Sequence, residues 1–282
     1  MITKDRYIDW VGKKESSNAL VTSNHADALS ATLNRDDPPL KEGDTIPQGW
    51  HVIYFHEIVK LCETGSDGHP KRGEFLPPID LPRRMWAGTK ATYHKPIYVG
   101  EWIKKTTTIE AVTPKVGKTG DLVFLKLKHE IEGNNGIAVT EIQDVVYREE
   151  AKTSLTYDIL PSAPFPAVWS RDVEPTPVLL FRFSALTMNS HRIHYDRKYV
   201  MEVENYPGLL VHGPLTQILL MDLFRHQLSN KLLKDISVRA VSPLYDTHVF
   251  KIQGCADNDG KSANLWALNH NDKLAMTLKA SF

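Results

Sequence analysis

The chain has 282 residues, and its 34 Lys plus Arg balance 34 Asp plus Glu, so the formal net charge is zero. That balance argues against a polyanion as main partner, because phosphate-backbone binders need a net basic surface; no nucleic-acid role is expected. Two cysteines in unrelated contexts, Cys62 and Cys255, argue against a disulfide framework, and no apolar run of 18 residues predicts a membrane span.

The first twenty residues, MITKDRYIDWVGKKESSNAL, have neither an apolar signal core nor the acid-poor, Arg-rich character of a transit peptide, so a cytoplasmic location is expected. Residues 3–34 read as helices, with Thr22-Ser23 as a cap and Ala26, Leu29 and Leu33 at helical spacing. Asp36-Asp37-Pro38-Pro39 ends that unit, and the apolar run 51–59 is ambiguous between strand and helix. Gly65 to Pro82, rich in Gly and Pro at both ends, reads as a long surface excursion of the kind that faces ligands. From Arg83 onward the chain alternates apolar and polar residues, and Gly133-Asn134-Asn135-Gly136 predicts a hairpin turn between antiparallel strands. The proline-rich stretch 151–177 reads as an extended connection between a first unit, 1–150, and a second, 178–282.

The second unit is expected to hold a central helix from His212 to about Leu228, with Leu215, Ile218, Leu219, Leu220, Leu223 and Phe224 as its apolar stripe. Strands follow, separated by Asp257-Asn258-Asp259-Gly260 and Asn269-His270-Asn271-Asp272 turns. Gly136–Tyr147 and Lys273–Phe282 correspond as closing strands, and His94–Glu101 corresponds to Val241–Asp246, so the chain reads as a duplicated α+β unit. PRRMWAGTKATYH (82–94) is taken as the first unit's stunted counterpart of the central helix, leaving an apolar face open to a ligand.

The chemistry concentrates in Thr187-Met-Asn-Ser-His-Arg-Ile-His-Tyr-Asp196 and Val211-His212-Gly213-Pro214. Polar side chains ahead of a glycine-fronted helix can combine acid–base groups with amide donors for a developing oxyanion. The first segment resembles the hydratase motif of MaoC-like hot-dog proteins, Ser-Gly-Asp-x-Asn-Pro-x-His-x-Asp. Asn189 falls on its aspartate and His194 on its histidine. Val211–Leu215 is similar to the family's His-Gly-Met helix start. The resemblance covers the whole chain, and FLPPIDLPRRMWAGTKATYHKPIYVGE (75–101) is similar to the degenerate first unit of double hot-dog hydratases. It implies an α+β double hot-dog and a hydro-lyase. The implied substrate is an acyl-CoA thioester, with CoA part of the substrate and no other cofactor. The subfamilies most similar are bacterial mesaconyl-CoA/itaconyl-CoA hydratases and 3-hydroxyacyl-thioester dehydratases.

On that resemblance His194 is the expected acid–base group, Asn189 holds the attacking water, and the Gly213 N–H stabilises the thioester oxyanion. An amide cannot take a proton, so either His194 makes both transfers or a second acid such as Asp196 assists. His191, Arg192, Arg83, Arg84 and His212 are expected at the substrate, the arginines for a carboxylate or a CoA phosphate. No metal is expected, because His191 and His194 lack a third ligand at recognisable spacing. A further homodimer is compatible with the sequence. Three functions compete: hydration of a C5-dicarboxylyl-CoA to citramalyl-CoA, dehydration of straight-chain (R)-3-hydroxyacyl thioesters, and non-catalytic acyl-CoA binding.

Overall fold

Ten antiparallel strands form one continuous sheet in the order β1-β3-β4-β5-β2-β7-β10-β9-β8-β6. The computed structural model describes residues 4–117, 120–149 and 160–282. The strands are β1 (Lys14–Leu20), β2 (Arg83–Tyr93), β3 (Trp102–Gly117), β4 (Gly120–Gly133) and β5 (Gly136–Arg148) in the first half. The second half supplies β6 (Trp169–Val173), β7 (Asp235–Ala240), β8 (Phe250–Ala256), β9 (Ser262–Leu268) and β10 (Leu274–Ser281). Adding five to each strand number of the first half gives the second half's order reversed, so the duplication read in the sequence is present in the topology. The halves join where β2 pairs with β7, from Gly88 opposite Arg239 to Thr92 opposite Asp235. Gly88 is needed there, since a Cβ would lie 2.3 Å from the Val238 carbonyl oxygen.

Helices α1 (Ser23–Thr32), α2 (Pro177–Thr187), α3 (Arg197–Glu202) and α4 (Gly213–Gln227) cover the sheet. In α4 every residue from Leu215 to Phe224 is buried, so the helix is enclosed all round and carries the main core. Pro214 suits its first turn, where an N–H would have no intrahelical acceptor. Burial of Asp222 within that helix is balanced by cations from three segments. Arg35 Nη1 donates to one of its oxygens, Arg171 Nη1 donates to the other at 3.1 Å, and Arg225 Nη2 lies 3.7 Å away.

Several expectations need correcting. Lys14–Leu20, expected to be helical, is a strand paired along β3, although α1 forms where its cap predicted. The run after Gly49 resolves as a short 3-10 turn, Trp50–Ile53, and not as a strand. Trp169–Val173, inside the expected connection, is the edge strand β6 paired with β8; residues 151–159 of that connection lie outside the described residues. PRRMWAGTKATYH is no stunted helix, because Arg83–Tyr93 within it is strand β2, the counterpart of β7. Between α1 and β2, where the second half has α4, the first half has the 3-10 turns Trp50–Ile53 and Leu61–Glu63 joined by loops. The helix is shortened, but upstream of the place the sequence suggested.

Candidate active site

The site is built on the turn that follows α2. Met188 takes a left-handed conformation (φ 50°) as the helix ends, and the Asn189 N–H donates to the Ser184 carbonyl at 2.8 Å. The Asn189 side-chain oxygen accepts the His191 N–H at 3.1 Å, which leaves its NH2 group as the part able to meet a water. A single 3-10 turn, Arg192–His194, then carries His194 inward until it is 8% exposed.

His194 has one ring nitrogen fixed. Nδ1 lies 2.8 Å from the Leu210 carbonyl oxygen, which can only accept, so Nδ1 carries the proton and Nε2 keeps a free lone pair. Burial holds the imidazole neutral, lowering its pKa to about 4 against the opposing pull of the Leu210 carbonyl, with the neighbouring His69 adding to the drop. The ring stacks on His212 at 3.7 Å between centroids and 18° between planes. His212 is itself buried, hydrogen-bonds Ser184 Oγ through Nε2 at 2.8 Å, and leaves Nδ1 without a partner among the described residues. Burial, then the charges of His194 and His191, press its pKa well below the ordinary histidine value.

Gly213, the first residue of α4, follows directly. Its N–H has no intrahelical acceptor and lies at the positive end of the helix dipole. A side chain here would meet Trp86 of β2, since a Cβ would lie 2.5 Å from Trp86 Cε3. The indole therefore packs flush against the helix start, and Gly213 is the residue that permits it.

The first half contributes a loop to the same place. Arg192 N donates to the Asp67 carbonyl at 2.9 Å, Ser190 Oγ to the Gly68 carbonyl at 2.5 Å, and Arg192 Nη1 to the Ser66 carbonyl at 3.0 Å. Gly68 (φ +90°) lies so close that a Cβ would stand 1.9 Å from the Ser190 carbonyl oxygen. This docking brings Asp67 and His69 to the catalytic turn, with the His69 and His191 rings 4.0 Å apart and those of His191 and His194 5.6 Å apart. Four imidazoles thus line up in the order His69, His191, His194, His212. Burial first, then His69, His194 and Arg84, keep His191 neutral, far below the ordinary value.

The structure sorts the remaining expected residues. Arg192 spends Nε and Nη2 on Asp196 (3.0 and 2.7 Å), lies over the Tyr199 ring, and clamps the docked loop. Asp196 is held ionised, first by the Tyr199 N–H it caps and then by Arg192, so it is not a proton donor. Arg83 donates to the Glu204 carbonyl at 2.9 Å and lies over Tyr206, a structural tie. Arg84, on the opposite face of β2, is half-buried with no hydrogen-bond or ion-pair partner among the described residues, and its charge acts on His191. Sequence reasoning missed Asp67 and His69, although it marked their loop as ligand-facing. With His191 they form a donor cluster whose ligand atoms lie within 4.8 Å of one another, supplying from far upstream the third group that local spacing does not show. Both Asp67 oxygens already accept from His69, at 3.0 Å from the backbone N–H and 3.3 Å from Nδ1.

A five-stranded antiparallel sheet with helices on it, present twice in one chain, and a histidine turn facing a glycine-started helix define a double hot-dog protein of the MaoC-like hydratase and dehydratase type. The family model of hydroxyacyl-thioester dehydratase type 2 matches residues 49–246, and the chain belongs to that family. Mesaconyl-C(4)-CoA hydratase of Chloroflexus aurantiacus is 38% identical over 264 residues, covering 90% of either chain. The mitochondrial hydroxyacyl-thioester dehydratase type 2 of Schizosaccharomyces pombe is 24% identical over 248 residues, 79% of this chain and 80% of that one. A MaoC-like dehydratase of Phytophthora capsici shares the fold, with TM-score 0.69 over 100% of this chain and 99% of that one at 12% identity. The chain is accordingly an enzyme, a hydro-lyase that adds water to or removes it from an acyl-CoA thioester. No helix among the described residues is long and apolar enough to cross a membrane.

Proposed function

We propose that the enzyme hydrates an unsaturated C5-dicarboxylyl-CoA, such as mesaconyl-CoA or itaconyl-CoA, to citramalyl-CoA. The observation that carries the reading is His194, neutral, with Nδ1 committed to Leu210 and Nε2 free beside the α4 N-terminus. Water positioned by the Asn189 NH2 gives its proton to His194 Nε2 as its oxygen bonds to the distal alkene carbon. With mesaconyl-C(4)-CoA, whose double bond is conjugated with the thioester, the π electrons move toward the thioester, whose oxygen takes negative charge against the Gly213 N–H. Proton delivery to the neighbouring carbon completes the addition.

Identity to a relative named for mesaconyl-C(4)-CoA supports the dicarboxylyl substrate. So does Arg84, a half-buried cation beside His191 with no partner among the described residues, where a second carboxylate would find a charge-assisted bond. The experiment compares mesaconyl-C(4)-CoA, itaconyl-CoA and crotonyl-CoA by chromatographic quantification of the hydrated thioester. Arg84→Gln should lower kcat/KM for the dicarboxylyl substrates about 10- to 100-fold, the range of a lost hydrogen bond to a charged group, and leave crotonyl-CoA alone. A strong preference for straight chains, unaltered by Arg84→Gln, would instead establish the second reading: a 3-hydroxyacyl-thioester dehydratase, as the family's description has it.

A further inference from the structure

His194 is held at its edge and on its face by different parts of the chain. At the edge, Nδ1 bonds the Leu210 carbonyl, and the Leu210 N–H donates in turn to the Ile193 carbonyl at 3.0 Å. That bond fixes where Nδ1 sits. It leaves the ring able to rock about the line from Nδ1 to the Leu210 oxygen, because the last torsion of an imidazole side chain is soft. Rocking swings Nε2, the atom that must meet the water, out of line.

The face is backed by His212, whose ring lies nearly parallel to that of His194 at 3.7 Å. His191 meets His194 edge-on, at 89° and 5.6 Å, so among the described residues His212 is the ring that lies flat against it. At 1% exposed, His212 is closed to a substrate. Its own orientation is set from α2. Ser184 Oγ lies 2.8 Å from Nε2, and the Phe183 ring packs against it at 66° and 5.0 Å. Because Nδ1 has no partner among the described residues, the Ser184 hydroxyl makes the hydrogen bond that sets the ring's rotation. Ser184 is buried and has a second tie, since its carbonyl accepts the Asn189 N–H at 2.8 Å. One residue of α2 thus fixes the Asn189 turn through its backbone and the ring behind His194 through its side chain.

We propose that Ser184 and His212 are positioning residues for the water-addition step: the Ser184 hydroxyl locks the His212 ring, and that ring backs His194 so that Nε2 faces the water held by Asn189. This rests on the reading of His194 as the base given above. Neither residue touches the substrate, and both act through His194. The tolerance is narrow, because productive geometry is held to within about 10–20°, and a shift of about 1 Å can cost about 10²-fold. A flat ring at contact distance limits rocking to that range, whereas an aliphatic side chain in its place presents no plane.

The experiment measures kcat and KM on purified full-length wild type, Ser184→Ala, His212→Leu, His194→Gln and the Ser184→Ala/His194→Gln double variant with the best enoyl-CoA substrate. Ser184→Ala removes the hydroxyl but not the carbonyl that holds Asn189. It should lose about tenfold or more in kcat, the cost of leaving a buried ring nitrogen without its partner, with KM changed less than about threefold. His212→Leu keeps bulk without the flat face and should lose at least as much, again in kcat. Once His194 is replaced, the hydroxyl has nothing left to position, so adding Ser184→Ala to His194→Gln should change kcat by less than about twofold. A merely structural defect would lower kcat by the same factor in both backgrounds, and that result overturns the assignment. So does wild-type kcat in Ser184→Ala and His212→Leu, or a raised KM with unchanged kcat in His212→Leu, which would put that ring at the substrate. With His194→Gln crippled, each of these outcomes leaves the hydration reading intact. Turnover near wild type in His194→Gln, or a wild type inert toward every enoyl thioester, refutes both.

Discussion

The buried histidines should make the fold sensitive to mild acid. His194 and His129 are held near pKa 4 in the folded chain, burial being the main cause in each, and His191 and His212 lie below the ordinary 6.5 in the same direction. Between pH 6.5 and about 4 the unfolded chain binds protons that the folded chain refuses. Stability is therefore full above 6.5 and falls as the pH drops through that window. At pH 5.5, one pH unit below the unfolded value, each such histidine costs about 1.4 kcal/mol, so the four together cost roughly 5 kcal/mol against a typical total of roughly 5–15. Among the carboxylates, Asp37, held at about 2 chiefly by Arg35, begins to matter only below its ordinary 3.8, while Glu15, raised by burial, takes up its proton preferentially in the folded chain and partly offsets the loss toward the acid end. Urea unfolding followed by tryptophan fluorescence at pH 7.5 and 5.5 measures the difference. His129→Gln, remote from the catalytic turn and next to Thr107, should reduce it by about 1.4 kcal/mol. Equal unfolding free energies at the two pH values would refute the claim that these rings are buried and neutral.

Other perturbations test the geometry directly. His194→Gln should lower kcat by about 10²- to 10⁴-fold in a steady-state hydration assay with the melting temperature little changed; turnover near wild type would remove it from the mechanism. Gly213→Ala drives a methyl into the Trp86 ring, so kcat should fall at least tenfold, and combining it with Trp86→Leu should restore part of the loss. Gly68→Ala forces both a positive φ and a clash with the Ser190 carbonyl, and is expected to free the loop, seen as faster proteolysis near residues 65–69 together with lost activity. Asp222→Ala leaves Arg35, Arg171 and Arg225 without their shared anion and should cost about 3–5 kcal/mol in denaturant titrations.

The sequence signals that succeeded and failed have physical causes. The α4 apolar run and the polar hairpin turns were legible because burial demands them locally. The two missed strands, β1 and β6, are the outer edges of the sheet, each paired on one side only. KESSNAL is largely exposed and needs no apolar alternation, and β6 is hidden in a proline-rich stretch. The β2 register shifts between Trp86 and Gly88, which breaks the period-two pattern and gives the segment the look of a failed helix. At the site, His191, His194 and Gly213 lie within a short span, and the motif alone brings them together. Asp67 and His69 are over a hundred residues upstream, and only the docking at Gly68 reveals that they belong. Arg192 and Arg83 were expected at the substrate, but a sequence cannot show that Arg192 is held by Asp196 and Ser66 or that Arg83 Nη2 is held by Glu204.

The docked loop also bears on how such a chain can change over time. In a pair of identical subunits, any alteration that helps one copy serve the other's site is imposed on both. Here the two copies are covalently joined, and the first has a turn at Trp50–Ile53 and a long excursion where the second keeps its central helix. Freed from maintaining a site of its own, that stretch could be remodelled into a wall for its neighbour's. The outcome is a division of labour with a fixed stoichiometry. Each chain should bind one thioester, and a separated second half, even if it kept its histidine turn and helix start, would lack the wall against which they are set.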